Sequence, residues 1–280
     1  MKLTLKEAMK DSKLQYLIEL VDDESSEVRT EILKELEKYG ASLEKDILDY
    51  ADILNPDKMK ILQPVIETSR REWLQEHWNV WRDFENDFEK IEVALNLISK
   101  FQYGIHLTYN LSILLDELTE EFKNRIPYGD ELDLATFLFQ EKRIAGAKDD
   151  YYNPFNSNLI YSIKEKKGLP ITLALIYVLI GYRLGFSIKG CNFPGHFLAK
   201  VEMDDEIILI DCFNGGKFFY ESDIVDLVDL PIENIEQIIR REASAVTIIR
   251  RVLSNLINSY SILNNYENQK FFSKLLQLTV

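Results

Sequence analysis

The stretch GLPITLALIYVLIGYRLG at residues 168–185 decides the fold of this chain. It is apolar on nearly every face of the helix that its pattern predicts, and such a helix lies buried inside a protein. Pro170 suits the first turn of this helix, and Gly185 suits its end. The apolar run within it is about 12 residues long, which is too short to span a bilayer. The sequence therefore predicts a central core helix and no membrane segment.

The segments after this helix have the pattern of β-strands. FSIKGCNF, HFLAKVEM and EIILID are alternating or continuously apolar and rich in β-branched residues. The pairs Asp204-Asp205 and Gly215-Gly216 are predicted to form turns. Upstream of the helix, KDDYYNPFNSNL has the composition of a loop, and LIYSIKEKK that of a short helix. A buried helix followed by an antiparallel sheet defines an α+β core.

Helical segments flank this core on both sides. In EVRTEILKELEKYG the apolar positions fall on one helical face: Val28, Ile32, Leu36 and Tyr39. A similar plan of helix, turn and longer helix follows it, which suggests a small solenoid, with a plain helical bundle as the alternative. We expect a helical repeat-like domain over residues 1–85, the core over 86–230, and a C-terminal helical pair over 231–280.

Composition and charge exclude several classes of function. The net charge is -14, and much of the acid lies on predicted helices within the first ~130 residues. This sign disfavours nucleic acid and anionic membrane surfaces as partners. Two cysteines do not make a disulfide framework, and the N-terminus lacks the apolar core of a signal peptide. We therefore expect a cytoplasmic protein that binds neither nucleic acid nor membrane.

His196 and Asp211 are the strongest candidates for chemistry. His196 follows a Pro-Gly pair, and Asp211 lies fifteen residues later at the end of an apolar run. On neighbouring strands, a histidine and an aspartate supply two groups of a hydrolytic triad, in which the acid orients the base. We expect the two side chains to be in contact, and the third group has to be found elsewhere.

The motifs YYNPFNSNL, KGLPITLALIYVLIGYRLGFSIKGCNFPGHFL and LIDCFNGGKF occur in order between roughly residues 90 and 225. In these motifs the chain resembles the SirB-type branch of the transglutaminase-like superfamily. The resemblance implies a papain-like core whose active members use a cysteine at the start of the buried helix, a histidine on one strand and an aspartate on the next. Members often continue into tetratricopeptide repeats, and IIRRVLSNLINSY resembles the opening of that extension. LVDDESSEVRTEILKELEKYG resembles a HEAT repeat.

The resemblance places His196 and Asp211 at the second and third catalytic positions, and it implies that the first position is vacant. In the resembling enzymes the cysteine lies about fifteen residues before the glycine that ends the helix. Counting back from Gly185 reaches Pro170, which has no reactive side chain. We therefore predict that the start of the helix faces His196 and offers no thiol.

Other residues do not restore the missing group. Thr172 is the nearest polar residue, but a threonine nucleophile needs special activation. Cys191 and Cys212 have the surroundings of small buried hydrophobes. His77 and His106 lie on predicted helices among aromatic residues, where packing or surface roles are expected. No pair of histidines has a metal-ligand spacing, so the sequence predicts no metal and no cofactor.

The sequence thus favours a transglutaminase-like protein that lacks the catalytic cysteine and serves as a non-catalytic binding or regulatory module. Its expected partner is a protein or peptide, with a basic surface that complements the acidic helices. Asn156, Thr172 and Asn214 are candidate contacts in a vestigial cleft. One alternative is a cysteine-protease-like hydrolase or acyltransferase that uses His196 and Asp211 with an unconventional nucleophile. Another is a structural helical scaffold, in which the core is only a spacer. The structural interpretation of His196 is that it ties its loop to the next strand by hydrogen bonds.

Overall fold

The structure is a computed structural model that describes residues 5–107, 110–193, 195–203, 206–220 and 232–280. Within these ranges, side chains are described from residue 12 to residue 220 and from residue 236 onward. The chain forms two compact units: Met1–Trp78 with Lys100–Thr108, and Asn79–Ser99 with Tyr109–Val280. The predicted α+β class is confirmed, because helices flank a core that contains an antiparallel sheet. The three-part division at residues 85 and 230 stays a prediction.

The described part of the first unit is helical. Its helices before residue 78 are α1 (Leu5–Glu19), α2 (Ser26–Glu37), α3 (Leu43–Asp46) and α4 (Pro56–His77). Ser25 caps α2 by accepting a hydrogen bond from the backbone N–H of Val28, and Asn55 caps α4 in the same way. The apolar faces of these helices enclose one buried cluster, with members from Leu14 to Ile66. In the second helix pair that the sequence predicts, the first helix is short: α3 ends at Asp46, and a 3-10 helix at Ile47–Tyr50 follows it.

The second unit contains further helices around the sheet. Helix α5 (Asp87–Tyr103) begins in the second unit and ends among residues assigned to the first. The helices that follow are α6 (Leu111–Arg125), α7 (Glu131–Thr136), α8 (Leu159–Glu165), α9 (Pro170–Leu184), α10 (Ile232–Arg240), α11 (Ala245–Ile262) and α12 (Tyr266–Leu278). Within the described ranges, none of the helices combines the length and the apolar character needed to cross a membrane.

Helix α9 is the predicted central helix. Every residue from Pro170 to Gly181 is buried, and α9 packs against α6, α8 and the sheet. Pro170 occupies the first turn, where its missing N–H costs no hydrogen bond. Gly185 ends the helix in the left-handed region at a φ of 79°, which a residue with a side chain rarely adopts. The sequence signals of this helix therefore match its observed bounds.

The sheet has four antiparallel strands in sequence order. They are β3 (Lys189–Cys191), β4 (Leu198–Met203), β5 (Glu206–Asp211) and β6 (Lys217–Tyr220). The strand predicted over HFLAKVEM begins only at Leu198, so His196 lies in the turn before β4. Gly215 and Gly216, at φ of 80° and 71°, form the predicted turn, and β6 after it was not predicted. The predicted Asp204-Asp205 turn lies outside the described residues.

A second, very short sheet fixes the start of α9. Strands β1 (Ala145–Gly146) and β2 (Lys167–Gly168) pair in parallel, directly before Pro170. The loop between β1 and α8 contains a 3-10 helix at Pro154–Ser157. The N–H of Leu169 donates to the Asn156 carbonyl at 3.0 Å, so this loop and β1 both hold the segment that leads into α9.

Candidate functional site

His196 and Asp211 are in direct contact. Nε2 of His196 lies 2.9 Å from Oδ1 of Asp211. Asp211 is the last residue of β5, and His196 lies just before β4, the neighbouring strand. The predicted contact is therefore present, although His196 precedes its strand instead of lying within it. The His196 side chain is 28% exposed and that of Asp211 is 10% exposed, so solvent reaches the imidazole far more than the carboxylate.

Asp211 is held by two further hydrogen bonds. The backbone N–H of Asn214 donates to Oδ1 at 3.1 Å, and the Asn214 side chain donates to Oδ2 at 2.8 Å. Burial opposes ionisation of the carboxyl group, but the hydrogen bonds from His196 and Asn214 outweigh it and lower the pKa of Asp211. An ionised carboxylate only accepts hydrogen bonds, so Nε2 of His196 carries a proton. In the neutral imidazole, Nδ1 is then the basic nitrogen.

Phe213 connects this pair to the rest of the core. Its ring lies edge-on to the His196 ring at 6.2 Å and edge-on to the Tyr151 ring at 6.0 Å. Gly146 of β1 approaches Phe213 so closely that an added Cβ would lie 2.6 Å from the Phe213 carbonyl oxygen. Gly146 pairs with Gly168, which lies two residues before α9. Strand β1, which pairs with the segment before α9, and the His196 ring thus both contact Phe213.

The start of α9 offers no reactive group within the described residues. Pro170 is buried at the predicted nucleophile position. Thr172 is 0% exposed, and its hydroxyl has no hydrogen-bond partner among the residues that the structure describes. A hydroxyl in such surroundings has no base to activate it, and a substrate cannot reach it from the solvent. The role of Thr172 as a binding residue stays a prediction.

Asn156 and Asn214 hold the chain around the site. The Asn156 side chain is fully buried and donates to the backbone carbonyls of Asp150 and Tyr151, the latter at 3.3 Å. It thereby positions the loop that carries Tyr151. Asn214 is exposed, and its amide is used to orient Asp211. Contacts of either residue with a ligand stay predictions.

Both cysteines are buried, and their surroundings disfavour the thiolate. Burial raises the pKa of Cys191 to about 11, with Lys200 and Arg251 opposing the rise. Burial also raises the pKa of Cys212 well above its ordinary value, and the adjacent Asp211 charge adds to this rise. Since the thiolate is the nucleophilic form, neither sulfur is prepared for attack.

The remaining histidines serve local contacts in the first unit. Nδ1 of His77 lies 2.8 Å from the Trp73 carbonyl oxygen, and its ring stacks on the Trp73 ring at 4.7 Å. Nε2 of His106 lies 3.2 Å from the carbonyl oxygen of Ala41. Across the described ranges, no group of three or more histidine, cysteine or acidic side chains is placed to hold a metal ion.

Sequence reasoning missed Arg251 of α11, which lies against the His196 loop. Its guanidinium donates to the Asn192 side chain and, at 3.3 Å, to the Phe193 carbonyl. The guanidinium carbon also lies 5.6 Å from the centre of the Phe197 ring. The sequence shows only an arginine pair in a helix, and the other arginine, Arg250, donates to carbonyls near the C-terminus of the chain. Nothing in the sequence pattern indicates which of the two arginines contacts the His196 loop.

The fold and the site together define a class of protein. A buried helix packs on an antiparallel sheet, and a histidine–aspartate pair lies at the junction of two neighbouring strands. The family model described as the transglutaminase-like superfamily matches residues 109–254, a little more than half of the chain. The chain belongs to this superfamily.

Curated relatives match the same region. A UPF0162 protein of Xylella fastidiosa (strain 9a5c) is 34% identical over 137 residues, which cover 47% of this chain and 49% of the relative. The F-box only protein 21 of Homo sapiens is 27% identical over 143 residues, covering 46% of this chain and 21% of that protein. The chain therefore spans about half the length of the UPF0162 relatives of Xylella that it matches. No solved structure gives a significant match.

Proposed function

We propose that this chain is a SirB-type transglutaminase-like protein without a catalytic cysteine, which acts by binding another protein or peptide. The observation that carries the proposal is the buried Pro170 at the start of α9. A papain-like reaction needs a thiolate at a helix start, where the helix dipole lowers the thiol pKa. In this chain both thiols are buried elsewhere and have raised pKa values.

The His196–Asp211 pair has a structural role that does not need catalysis. It joins the turn before β4 to the end of β5, and Asn214 completes the hydrogen bonding of the carboxylate. The same pair also favours the second candidate function, a hydrolase or acyltransferase with an unconventional nucleophile. In that case the basic Nδ1 of His196 would accept a proton from an attacking group.

A thiol-labelling experiment tests whether either cysteine is the nucleophile of the second candidate function. The native protein is treated with iodoacetamide, and labelling of Cys191 and Cys212 is followed by mass spectrometry. We expect slow labelling of both residues that is unchanged in His196→Ala, with fast labelling of both only after unfolding in urea. Fast labelling of one cysteine in the native protein, lost in His196→Ala, would establish an activated thiol and overturn the binding proposal.

The flanking helices are proposed as docking surfaces. The first helices resemble HEAT repeats, and α11 resembles the opening of a tetratricopeptide extension. Exposed acidic residues line the first turns of α2 and the segment before it, including Glu24, Glu27 and Glu31. They support a partner with a basic surface, in the cytoplasm, whose binding weakens as salt screens the charges.

The docking proposal is tested with a lysine-rich peptide as the probe. We expect saturable binding at low ionic strength, and a clear loss of affinity when Glu24, Glu27 and Glu31 are all changed to glutamine. The matched control changes three exposed acids elsewhere: Glu117, Glu120 and Asp149. Equal loss in both triple variants would show that binding follows only net charge, and would sink the proposed surface.

A further inference from the structure

Arg251 belongs to a series of contacts that includes His196. The carbonyl oxygen of Phe193 accepts a hydrogen bond from the N–H of His196 at 3.2 Å and one from the Arg251 guanidinium. His196 contacts Phe213, and Phe213 contacts Tyr151. Helix α11, which carries Arg251, packs against the 3-10 helix that follows Tyr151 in the chain. The series of contacts therefore runs from Arg251 through His196 and Phe213 to Tyr151.

The charge of Arg251 is not balanced by any carboxylate among the described residues. It donates hydrogen bonds to a side-chain amide and to a backbone carbonyl, and both of these acceptors are neutral. Burial lowers the pKa of Arg251, and Tyr151 and Cys191 only partly oppose this. A half-buried cation that is held only by neutral groups retains much of its cost of desolvation.

Arg183 is a comparable arginine that does have carboxylate partners. It lies at the end of α9 and is also half-buried, but it forms ion pairs with Glu92 at 2.8 Å and with Asp116 at 2.6 Å. Burial opposes its charge as well, yet the hydrogen bonds that Arg183 donates to these carboxylates raise its pKa. Arg251 has the same chemistry without these carboxylates, so among the described residues its charge has no counter-charge and is available to an anionic ligand.

Two exposed tyrosines lie at the Tyr151 end of this series of contacts. Tyr151 is 39% exposed and Tyr152 is 45% exposed, and the two rings meet edge to face at 5.3 Å. Large aromatic faces of this kind cover peptide backbone and apolar side chains at interfaces. Since the Asn156 side chain holds the carbonyls of Asp150 and Tyr151, the position of this aromatic pair is fixed by a buried group.

We propose that Arg251, His196 and Tyr151 form a binding site for the carboxylate group of a peptide. The guanidinium takes the carboxylate through a planar fork of N–H donors, and the tyrosines cover the flanking peptide. Nδ1 of a neutral His196 accepts a hydrogen bond from a peptide N–H. This inference rests on the proposed binding function and names the chemistry of its ligand.

A single negative charge fits this site better than a phosphate group. Asp211 is ionised and lies directly behind His196, so it repels a dianion more than a monoanion. Arg251 brings one positive charge to this site through its hydrogen bonds to Asn192 and Phe193. A carboxylate therefore matches the local charge, and it can come from an acidic side chain or from a C-terminus of the peptide.

The test uses the full chain and three acetylated pentapeptides that differ in one group. The first has a central glutamate and an amidated C-terminus, the second has a central glutamine and a free C-terminal carboxylate, and the third has glutamine and an amidated C-terminus. Binding is followed by NMR, from the His196 ring signals and the Nε–H signal of Arg251. We expect saturable shifts with the first or the second peptide, and none with the third.

Variants connect the binding to Arg251. Arg251→Gln should weaken binding of the carboxylate peptide at least about tenfold, because the charge and the fork are both lost. Arg241→Gln is the matched control. Arg241 is exposed and lines the same cavity as Asn192, but the donor to Asn192 and Phe193 is Arg251, so Arg241→Gln should bind like the unchanged protein. If Arg251→Gln does not fold, as judged by thermal unfolding, Arg251→Lys replaces it, and the loss of the planar fork should still weaken binding.

Several outcomes overturn the inference. These are the absence of saturable shifts with both carboxylate peptides, equal binding of the neutral peptide, unchanged affinity in the Arg251 variant, or equal loss in Arg241→Gln. If one of these results is found and the thiol-labelling experiment shows unreactive thiols, the carboxylate site is wrong and the proposal of a non-catalytic binding protein still holds. A reactive thiol found in the labelling experiment would instead remove the proposed function itself, whatever the peptides do.

Discussion

The two halves of the candidate site are built in opposite ways. On the sheet side, His196 contacts Asp211, and Asn214 completes the hydrogen bonding of the carboxylate. On the helix side, Pro170 and Thr172 are buried at the start of α9, and the Thr172 hydroxyl lacks a hydrogen-bond partner among the described residues. One half is a satisfied polar network, and the other is part of the apolar core.

This difference shows that a histidine–aspartate pair can stabilise the fold without taking part in catalysis. The histidine–aspartate pair needs no nucleophile to be stable. Its hydrogen bonds join a turn to the end of a strand, and the carboxylate accepts hydrogen bonds from protein donors. The helix start needs no polar group to be stable, because backbone bonds from the Tyr151 loop and from β1 hold it. The comparison predicts that substitutions on the sheet side cost stability and that those on the helix side do not.

The largest effect is expected from Asp211→Ala. It removes a buried carboxylate and leaves His196 and both donors of Asn214 without their acceptor. We expect a loss of about 2–4 kcal/mol in the free energy of unfolding, measured by urea titration. Asp149→Ala, at an exposed loop position, is the control and should change stability by less than about 0.5 kcal/mol. Equal effects of the two substitutions would mean that the network does not stabilise the fold.

A somewhat smaller effect is expected from Gly146→Ala, which tests the junction between the two halves. The new Cβ would lie 2.6 Å from the ring and the carbonyl oxygen of Phe213, so this stretch has to move. We expect a loss of about 1–3 kcal/mol, together with shifted NMR signals of His196 and Tyr151. If the stability falls and those signals stay in place, Phe213 does not connect the helix side to His196.

The pH dependence of stability sharpens the account of the sheet side. The pKa of Asp211 is lower in the folded protein, so its contribution is complete above the ordinary aspartate pKa of about 4 and is lost as the pH falls through the folded value. We expect Asp211→Asn to cost about 1 kcal/mol near pH 6 and less near pH 3, as measured by urea unfolding. A difference between the two proteins that stays constant over this range would show that the charge of Asp211 is not used.

The smallest effect is expected from Thr172→Val on the helix side. The substitution replaces a buried hydroxyl that has no partner among the described residues with a methyl group of similar shape. We expect the free energy of unfolding to stay within about 0.5 kcal/mol of the original or to rise slightly. A loss above about 1 kcal/mol in the same urea titration would reveal a hydrogen bond at Thr172 and would break the comparison.

Local patterns predicted much of the second unit. The continuous apolar run with Pro170 at its start and Gly185 at its end predicts a buried helix, because proline suits the first helical turn and glycine suits the left-handed end. The strand patterns predicted β4 and β5, and their adjacency predicted the contact of His196 with Asp211. Strands β1 and β2 were not predictable, because two-residue strands carry no periodic signal.

The sequence by itself determined the central helix, the strands that carry the histidine–aspartate pair, and the absence of a cysteine at the helix start, because each depends on residues close together in the chain. Only the tertiary structure decided that Arg251 reaches the Phe193 carbonyl from a helix 58 residues away, and that Phe213 fits between His196 and Tyr151. These contacts depend on how α11 and the Tyr151 loop pack against the core. Packing between distant segments follows from the shape and burial of the whole fold, which no local pattern encodes.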